Sequence, residues 1–512
     1  MKRTNTTRHP HTPPQRARWV LIVLASALSG ACATAGAVVR PPATPVPSAW
    51  SRSVEGTTAS VEDLARWWER LGDPVLTGVI EQALKANPDL RIAIARLRQA
   101  RAQRNLAQAN LLPSVSASVS VSGVKRSKSD AAADLSASID ASWEPDIFGG
   151  LKSAARAARA DLAATEEDLH NTQVSLAAEV AVNYVDLRDY QARLAIAQAN
   201  LETQRETLQL TEWRAQAGLV SSVDVEQARA NAAQTSAQIP SLQTNIVQAE
   251  HRLAVLAGLQ PTSLAKQLDA SASIPAVPDQ IAFGIPAEIL RQRPDVRAAE
   301  QRILAETARL AEAKAARYPG FSLRGSLGTD VVTGALTGGT SVVASLVAGV
   351  AQTIFDAGRI RQQIEIQGAA QEQAVATYEG TVLTALEDVE NALVALEQDR
   401  ERLAALTTAV EASRNAALLS RQQYAAGLAD FQTVLDTQRS VLTAEETLSA
   451  TQANRTTDLI QLYKALGGGW SPTSGVPNAA PALGCPSGVS NAAPALGCPS
   501  GQPAVNGTGG RS

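Results

Sequence analysis

The pattern of hydrophobic and polar positions changes its period along the chain, and it does so twice in the same order. A helical run over roughly 75–110 gives way to strict alternation over 114–123 and 135–144, and two long helical runs follow over 151–216 and 221–257. The second half repeats this order, with a helical run over 287–316, alternation over about 320–353 and two further long runs. The pattern predicts an α+β chain that is mostly α, in which long antiparallel helical hairpins are joined to four β-strands.

The two halves also align residue by residue, which indicates a duplicated module. Pro88 corresponds to Pro294, an offset of 294 − 88 = 206, and Gly218 corresponds to Gly427, an offset of 427 − 218 = 209. A period of about 200 residues is too long for a solenoid of small stacked units. We therefore predict a first repeat over 61–258, a linker over 259–286 and a second repeat over 287–470. We expect the three-residue drift to accumulate between the strands and the long helices, where loops absorb insertions.

The alternating segments have features of membrane strands. Their apolar positions, such as Val119 and Ile139, include no charge, and most of the intervening positions are polar. This alternation is typical of a strand with one face in lipid and one in water, although a half-buried soluble hairpin has the same pattern. Aromatic residues gather at the strand ends, where the membrane interfaces would lie: Trp143, Phe148, Tyr318, Phe321 and Phe355.

A transmembrane helix is an alternative for 331–355, which has no charge over 25 residues. Its counterpart in the first repeat contains Lys125, Arg126 and Asp140, so that segment cannot span a bilayer as a helix. The duplication therefore favours a strand hairpin in both repeats. Four strands cannot close a barrel, and an open edge is not tolerated in lipid. We expect the chain to oligomerise, a dimer giving eight strands and a trimer twelve.

Composition narrows the class of function. Of 512 residues 45% are hydrophobic and only 4% aromatic, as expected for helices that pack through small side chains. A net charge of −3 argues against nucleic acid as a partner. His170 and His251 each stand alone in a helical run, so no metal site is expected. Without a nucleophile–base set or a phosphate loop, we predict a protein that is not an enzyme and has no cofactor.

Both ends of the chain lie outside the repeats. Basic residues precede a short apolar segment, 19–28, which predicts an export signal over 1–31. Small residues lead into Cys32, which we expect to be lipidated at the start of a linker over 32–60; the alternative is ordinary cleavage that leaves a free thiol. The tail over 471–512 repeats 478–488 as 491–501, a duplication with a 13-residue period, and its Pro/Gly/Ser/Ala-rich composition predicts disorder. An oxidising compartment would allow its Cys485 and Cys498 to pair; the alternative, which we favour, is a tandem duplication with no function.

Several motifs resemble those of the outer-membrane ducts of tripartite efflux pumps, the TolC/OprM type, and within it the NodT-like lipoprotein branch. The resemblance covers roughly 60–470. Its most specific stretches are Trp67-Trp68 with Gly72-Asp73-Pro74, Ile285-Pro286 with Arg291 to Val296, Tyr424 to Gly427, Leu435 to Ser440, and Leu462 to Trp470.

This resemblance implies a homotrimer in the outer membrane of a Gram-negative bacterium, anchored by lipid, with a large periplasmic part. Its strands would form a twelve-stranded β-barrel and its long helices a twelve-helix periplasmic α-barrel. The implied function is a passive exit duct for small molecules such as drugs, with a periplasmic adaptor and an inner-membrane RND pump as partners. The same structure could instead serve type I protein secretion or metal efflux. A structural coiled-coil envelope lipoprotein is the alternative of a different class, but it does not explain the strands.

The resemblance also implies a gate at the periplasmic helix tips. Tyr424, Asp436 and Arg439 match family gate positions, and the last two could pair with each other or with a neighbouring helix. Asp224 is a weaker gate candidate, because with Ser221 it also matches a helix capping box. Asp430 is interpreted as a helix cap.

The tips are also where adaptor hairpins would dock by resemblance, although glycine in such a turn can simply supply a positive φ. The residues at the two tips are Ala217, Gly218, Leu219, Ala426, Gly427 and Leu428.

Overall fold

A computed structural model describes residues 50, 64–124, 132–269, 273–278, 292–333 and 339–470. The export signal, Cys32 and the tail with Cys485 and Cys498 lie outside these residues. Within them, the predicted α+β organisation of long helical hairpins and four strands is confirmed. Among the described residues, no helix combines the length and the apolar character that a membrane span requires.

The secondary-structure elements occur twice in the same order. The first repeat contains α1 (Pro74–Ala86), α2 (Pro88–Ala109), β1 (Ser114–Val124), β2 (Ala132–Trp143), α3 (Gly150–Gln216) and α4 (Ser222–Leu256). The short α5 (Ala265–Leu268) follows, and the second repeat contains α6 (Pro294–Ala315), β3 (Gly320–Thr333), β4 (Gly339–Ala351), α7 (Arg359–Ala425) and α8 (Phe431–Ala465). A 3-10 helix, Trp67–Leu71, precedes α1.

The helical run over 75–110 is two helices, so the prediction of one continuous helix was wrong. Asn87 separates α1 from α2, and its side-chain oxygen accepts hydrogen bonds from the main-chain N–H groups of Asp89 at 2.7 Å and Leu90 at 3.2 Å. Pro88 occupies the first helical position, where a missing N–H costs nothing. The Asn87 amide also donates to the carbonyl oxygen of Leu256 at 2.9 Å, so this break ties α2 to the end of α4.

The long helices keep one offset over their whole length. α3 and α7 each have 67 residues and α4 and α8 each have 35, and every pair begins and ends 209 positions apart (359 − 150 and 465 − 256). At about 1.5 Å per residue, each helix of the longer pair extends for about 100 Å. A single inserted residue would turn all later side chains by about 100° around the axis, which explains why the offset is constant here.

The three-residue drift lies inside the strand hairpins. Val124 is opposite Ala132 in the first hairpin, and Asp330 is opposite Ser341 in the second. Asp330 follows Val124 by 330 − 124 = 206 positions, whereas Ser341 follows Ala132 by 341 − 132 = 209. The three additional residues of the second repeat therefore lie between Asp330 and Ser341, within the strand hairpin. Our expectation that it accumulates between the strands and the long helices was wrong.

The four strands form one antiparallel sheet in the order β1-β2-β3-β4, in which β2 and β3 join the two repeats. Paired residues point to the same face, and the face that contains Val119, Ile139, Leu327 and Leu346 has no charged residue among the described strand positions. β1 and β4 are the two edges of the sheet.

The opposite face of the sheet is lined by serines that bond across the strands. Their hydroxyl oxygens lie 2.9 Å apart in Ser118–Ser138, 2.7 Å apart in Ser120–Ser136 and 2.6 Å apart in Ser326–Ser345. The sheet thus has one apolar face and one polar face, as the alternation predicts.

Candidate functional site at the tips of the helical hairpins

The two hairpin tips are turns of the same type. Gly218 and Gly427 follow α3 and α7 with φ values of +72° and +77°. The next N–H group reaches back to the helix at both tips, from Leu219 to the oxygen of Arg214 and from Leu428 to the oxygen of Gln423, each at 2.8 Å. These are the bonds of a Schellman turn, which requires a left-handed residue. The positive φ that sequence reasoning allowed for these glycines is confirmed.

The leucines at the tips are not buried by their own turns. In a Schellman turn the residue after the glycine often packs back on the helix, yet Leu219 and Leu428 are 67% and 80% exposed. Each hairpin therefore presents an isolated apolar side chain at its tip.

Two acidic residues near the tips cap the returning helices. Asp224 and Ser221 form a reciprocal capping box at the start of α4, in which the Asp224 carboxylate accepts from the Ser221 N–H at 3.0 Å. The Asp430 carboxylate accepts from the N–H of Thr433 at 2.8 Å at the start of α8. Hydrogen bonds from the Thr433 hydroxyl and N–H hold the pKa of Asp430 below its usual value. Both capping interpretations are confirmed, and the gate role of Asp224 stays a prediction.

Tyr424 lies in an apolar cluster between the two hairpins. Its ring is buried and its centroid is 5.5 Å from that of Phe431, and Val434, Leu435 and Ala228 complete the cluster. The guanidinium of Arg214, from the other hairpin, lies 4.5 Å from the centre of the Tyr424 ring and donates a hydrogen bond to the Tyr424 carbonyl oxygen. Tyr424 therefore joins the two tips within one subunit.

Asp436 and Arg439 form no ion pair with each other in the described part of the chain. Arg439 donates from Nε to the side-chain oxygen of Asn231 on α4 at 3.1 Å, so its contact is with a neighbouring helix. The exposed carboxylate of Asp436 accepts from the amide of Gln432, one turn earlier, at 2.9 Å. Among the described residues, each thus has a neutral partner and no opposite charge beside it.

Three polar contacts between the hairpins were not predicted from the sequence. The buried amide of Gln438 donates to Thr207 at 2.8 Å, and Arg421 pairs with Glu206 at 2.7 Å. Farther from the tips, Glu445 accepts from both Asn200 and Arg414. Arg214 was missed as well, although a basic residue in the last turn of a helix is a recognisable signal because it complements the helix dipole.

Two aspartates face each other between α7 and α8. Burial, together with the nearby carboxylate of Asp399, raises the pKa of Asp458 to about 6. This is the one acidic group of the described residues whose pKa is raised so far.

The remaining family-like motifs meet at the opposite end of α8. Trp67 stacks on Tyr463 with ring centroids 5.4 Å apart, and the Gly469 N–H donates to the oxygen of Leu64 at 2.9 Å. Arg293 donates to the oxygen of Ala465 at 2.9 Å. These motifs therefore stabilise the base of the hairpins and are far along α8 from the tips. No group of three or more metal-ligating side chains occurs among the residues described.

A family model for outer membrane efflux proteins matches residues 79–259 and 285–468. The chain belongs to the outer membrane efflux protein family. Nodulation protein T of Rhizobium leguminosarum bv. trifolii is 32% identical to this efflux protein over 85% of the chain and 94% of its own length. The pyoverdine export outer membrane protein OpmQ of Pseudomonas putida is 34% identical over 84% of the chain and 93% of its own length.

Solved structures agree with this assignment. The outer-membrane channel OprN is 35% identical, with a TM-score of 0.76 over 84% of this efflux protein and 99% of OprN. The open state of the MtrE channel of Neisseria gonorrhoeae is 28% identical, with a TM-score of 0.75 over 84% and 97% of the two chains. The efflux protein is thus an outer-membrane duct with a periplasmic part, in a family of channels and not of enzymes.

Proposed function

We propose that this chain is the trimeric exit duct of a tripartite efflux pump, through which small molecules leave the cell passively. One observation carries the proposal: in the described part of the chain, a sheet with a charge-free apolar face and two unpaired edges adjoins helical hairpins about 100 Å long. Three copies would supply twelve strands and twelve long helices. The relative OpmQ is a pyoverdine export protein, which supports small-molecule efflux. Expected partners are a periplasmic adaptor and an inner-membrane RND pump.

Reconstitution in planar lipid bilayers tests the duct. Purified trimers should give discrete single-channel currents, whereas a structural envelope lipoprotein would give none. Expression in a bacterial host that lacks its own duct then distinguishes between the possible classes of cargo. Expression with the cognate adaptor and pump should lower drug accumulation, and a gain in protein secretion or metal resistance alone would contradict the small-molecule assignment.

The gate is proposed at the tips, where Asp436 and Arg439 carry exposed charges whose partners in the described part of the chain are the neutral Gln432 and Asn231. In a closed ring, each charge could bond to an adjacent subunit and hold the tips together. Tyr424 would act indirectly, because its ring is buried against Phe431 and under Arg214. Asp224 is the weaker gate candidate, because its carboxylate already caps α4.

Adaptor docking is proposed at Leu219 and Leu428, the exposed apolar residues of two equivalent turns. Replacing both leucines by Asp should abolish adaptor capture in a pull-down while trimers persist on native gels. Leu106→Asp is a matched control, since Leu106 is also exposed but lies on α2, away from the tips. Equal adaptor binding by the double variant and the wild type would refute the docking site.

Lipid anchoring is proposed at Cys32. Metabolic labelling with palmitate should mark the wild-type chain and leave Cys32→Ser unlabelled. Labelling that persists in Cys32→Ser would refute this assignment without affecting the duct.

A further inference from the structure

The polar face of the sheet lines the water-filled interior of the proposed duct, because the charge-free face is the one that can lie against lipid. In the described strands, four charged residues occupy register positions of this polar face: Asp134, Asp140, Arg324 and Asp330. β1 contributes none of them, since its positions on this face are all serine. The placement of these few charges therefore determines which sign of solute the strand section favours.

The strand register separates the charges into levels. Arg324 is opposite Ser142, so Asp140 is its diagonal neighbour, at a Cβ separation of about 7–8 Å. Asp330 lies 330 − 324 = 6 residues farther along β3, which is about 20 Å at about 3.4 Å per residue. Charges in contact with water act over about 8 Å at physiological salt. Arg324 can therefore offset Asp140 but cannot offset Asp330.

Asp330 has no opposite charge opposite it in the described sheet. Its partners across the strands are Ser136 of β2 and Ser341 of β4. The nearest charged residue of β2 in that direction is Asp134, two positions beyond Ser136, and it has the same sign. β3 begins at Gly320, next to the helices, and ends three residues after Asp330. Asp330 thus lies near the end of the sheet that is remote from the helices, which is the outer mouth of the proposed duct.

We propose that the strand section of the duct prefers cations to anions and that Asp330 is the residue that sets this preference. Three copies would place a ring of carboxylates near the outer mouth, and such rings attract cations and repel anions. This inference rests on the trimeric duct proposed above and specifies the class of solute that leaves most readily. That class is small, hydrated and positively charged, because the serine hydroxyls around the ring hydrogen-bond to water and contribute no charge.

The width of the barrel determines how strongly the ring acts. Twelve strands about 4.8 Å apart and tilted by about 40° enclose a barrel whose wall lies about 12 Å from its axis. At about 0.01 M salt, where the Debye length is about 30 Å, three charges at this distance favour a cation over an anion on the axis by about tenfold. At about 1 M salt the Debye length is about 3 Å, so the preference should vanish.

Reversal potentials in planar lipid bilayers test the preference. Purified wild-type trimers in a KCl gradient near about 0.01 M should pass K⁺ more readily than Cl⁻. Asp330→Asn removes the charge at nearly constant volume and should lower the ratio of K⁺ to Cl⁻ permeability by about tenfold. Asp330→Lys should reverse the preference. Arg324→Gln should raise the ratio, because it leaves Asp140 without its neighbouring positive charge.

Asp89→Asn is the matched control. Asp89 is also exposed, but it lies in the first turn of α2, 109 − 89 = 20 residues or about 30 Å from the end of that helix which leads to β1. This control should keep the wild-type permeability ratio. Equal conductance of all variants at about 1 M salt, where surface charge is screened, checks that they assemble alike.

Wild-type channels that show no cation preference at low salt would overturn the assignment and leave the duct intact. The same conclusion would follow if Asp330→Asn left the ratio unchanged, or if Asp89→Asn lowered it equally. Wild-type preparations that give no channels at any salt concentration would overturn the duct itself.

Discussion

Arg214 donates a hydrogen bond to the main-chain oxygen of Tyr424 and lies against the face of its ring. One side chain from the first hairpin thus contacts the last turn of α7 in the second hairpin. A basic group at this position also faces the carbonyl end of α7, where the helix dipole is negative. Tyr424 and Arg214 are 210 positions apart in sequence and belong to opposite repeats. The contact therefore couples the two tips of a subunit and would restrain any movement of one tip relative to the other.

Arg214→Ala should loosen this coupling. A hydrogen bond from a charged donor is worth about 1.5–3 kcal/mol, so we expect a lower midpoint of thermal unfolding and longer open times in single-channel records. Arg229→Ala is the matched control, because Arg229 pairs with Glu212 and Glu226, which both belong to the first hairpin. Equal channel behaviour of the two variants would show that the link between hairpins does not restrain opening.

The proposed gate predicts that removing its charged side chains increases single-channel conductance. Asp436→Ala combined with Arg439→Ala removes the exposed charges at the tip and should raise single-channel conductance and the entry of large antibiotics. Glu202→Ala with Arg205→Ala removes another exposed pair of the same spacing, on α3, and should leave both measurements unchanged. Unchanged conductance in the gate variant would remove these two residues from the gate.

The raised pKa of Asp458 predicts that the stability of the folded chain depends on pH. Its folded pKa of about 6 exceeds its ordinary value of 3.8, so between these values the folded chain holds a proton that the unfolded chain has lost. Stability from this group is present below pH 3.8 and is lost as the pH rises through 6. The wild type should therefore gain thermal stability between pH 7 and pH 5.

Asp458→Asn should be more stable than the wild type at pH 7 and should gain less on acidification. Asp399→Asn should act in the same direction, because it removes the neighbouring charge. Asp186, Asp189, Glu250 and Glu312, whose pKa values are also raised by burial, stay in all variants, so the comparison is made between melting curves of variant and wild type. Parallel curves would contradict the assignment to Asp458.

Two glycines with the same backbone angle separate conformational strain from steric overlap. Gly218 and Gly258 both have a φ of +72°, but a Cβ at Gly218 meets nothing within 4 Å, whereas one at Gly258 would lie 2.5 Å from the carbonyl oxygen of Ala86. Gly218→Ala should cost about 1–2 kcal/mol from the left-handed conformation. Gly258→Ala should cost about 1–3 kcal/mol more, as overpacking does. Equal losses in melting temperature would show that the neighbouring helix end moves aside.

The sequence was most informative where periodicity and duplication act together. The bounds of α3 and α7 and the face of each strand follow from patterns that extend over many residues. The break at Asn87 was available locally, because Asn-Pro-Asp is a helix start, but the continuous helical pattern on both sides concealed it. The contacts of Arg214, Gln438 and Arg439 depend on which helices become neighbours, and a single sequence contains no record of that pairing. The capping role of Asp224 was readable because both partners lie within one turn.

The unpaired edges of β1 and β4 also have a genetic consequence. If three subunits together close each barrel, one subunit with a damaged edge strand inactivates the whole duct that it enters. With equal amounts of intact and damaged chains that mix at random, only about one duct in eight would be made wholly of intact chains. An edge variant such as Val119→Pro should therefore be dominant in a strain that also expresses the wild type, and measuring drug export against variant dosage checks this. A decline in export that is merely proportional to dosage would indicate that damaged chains are excluded before assembly.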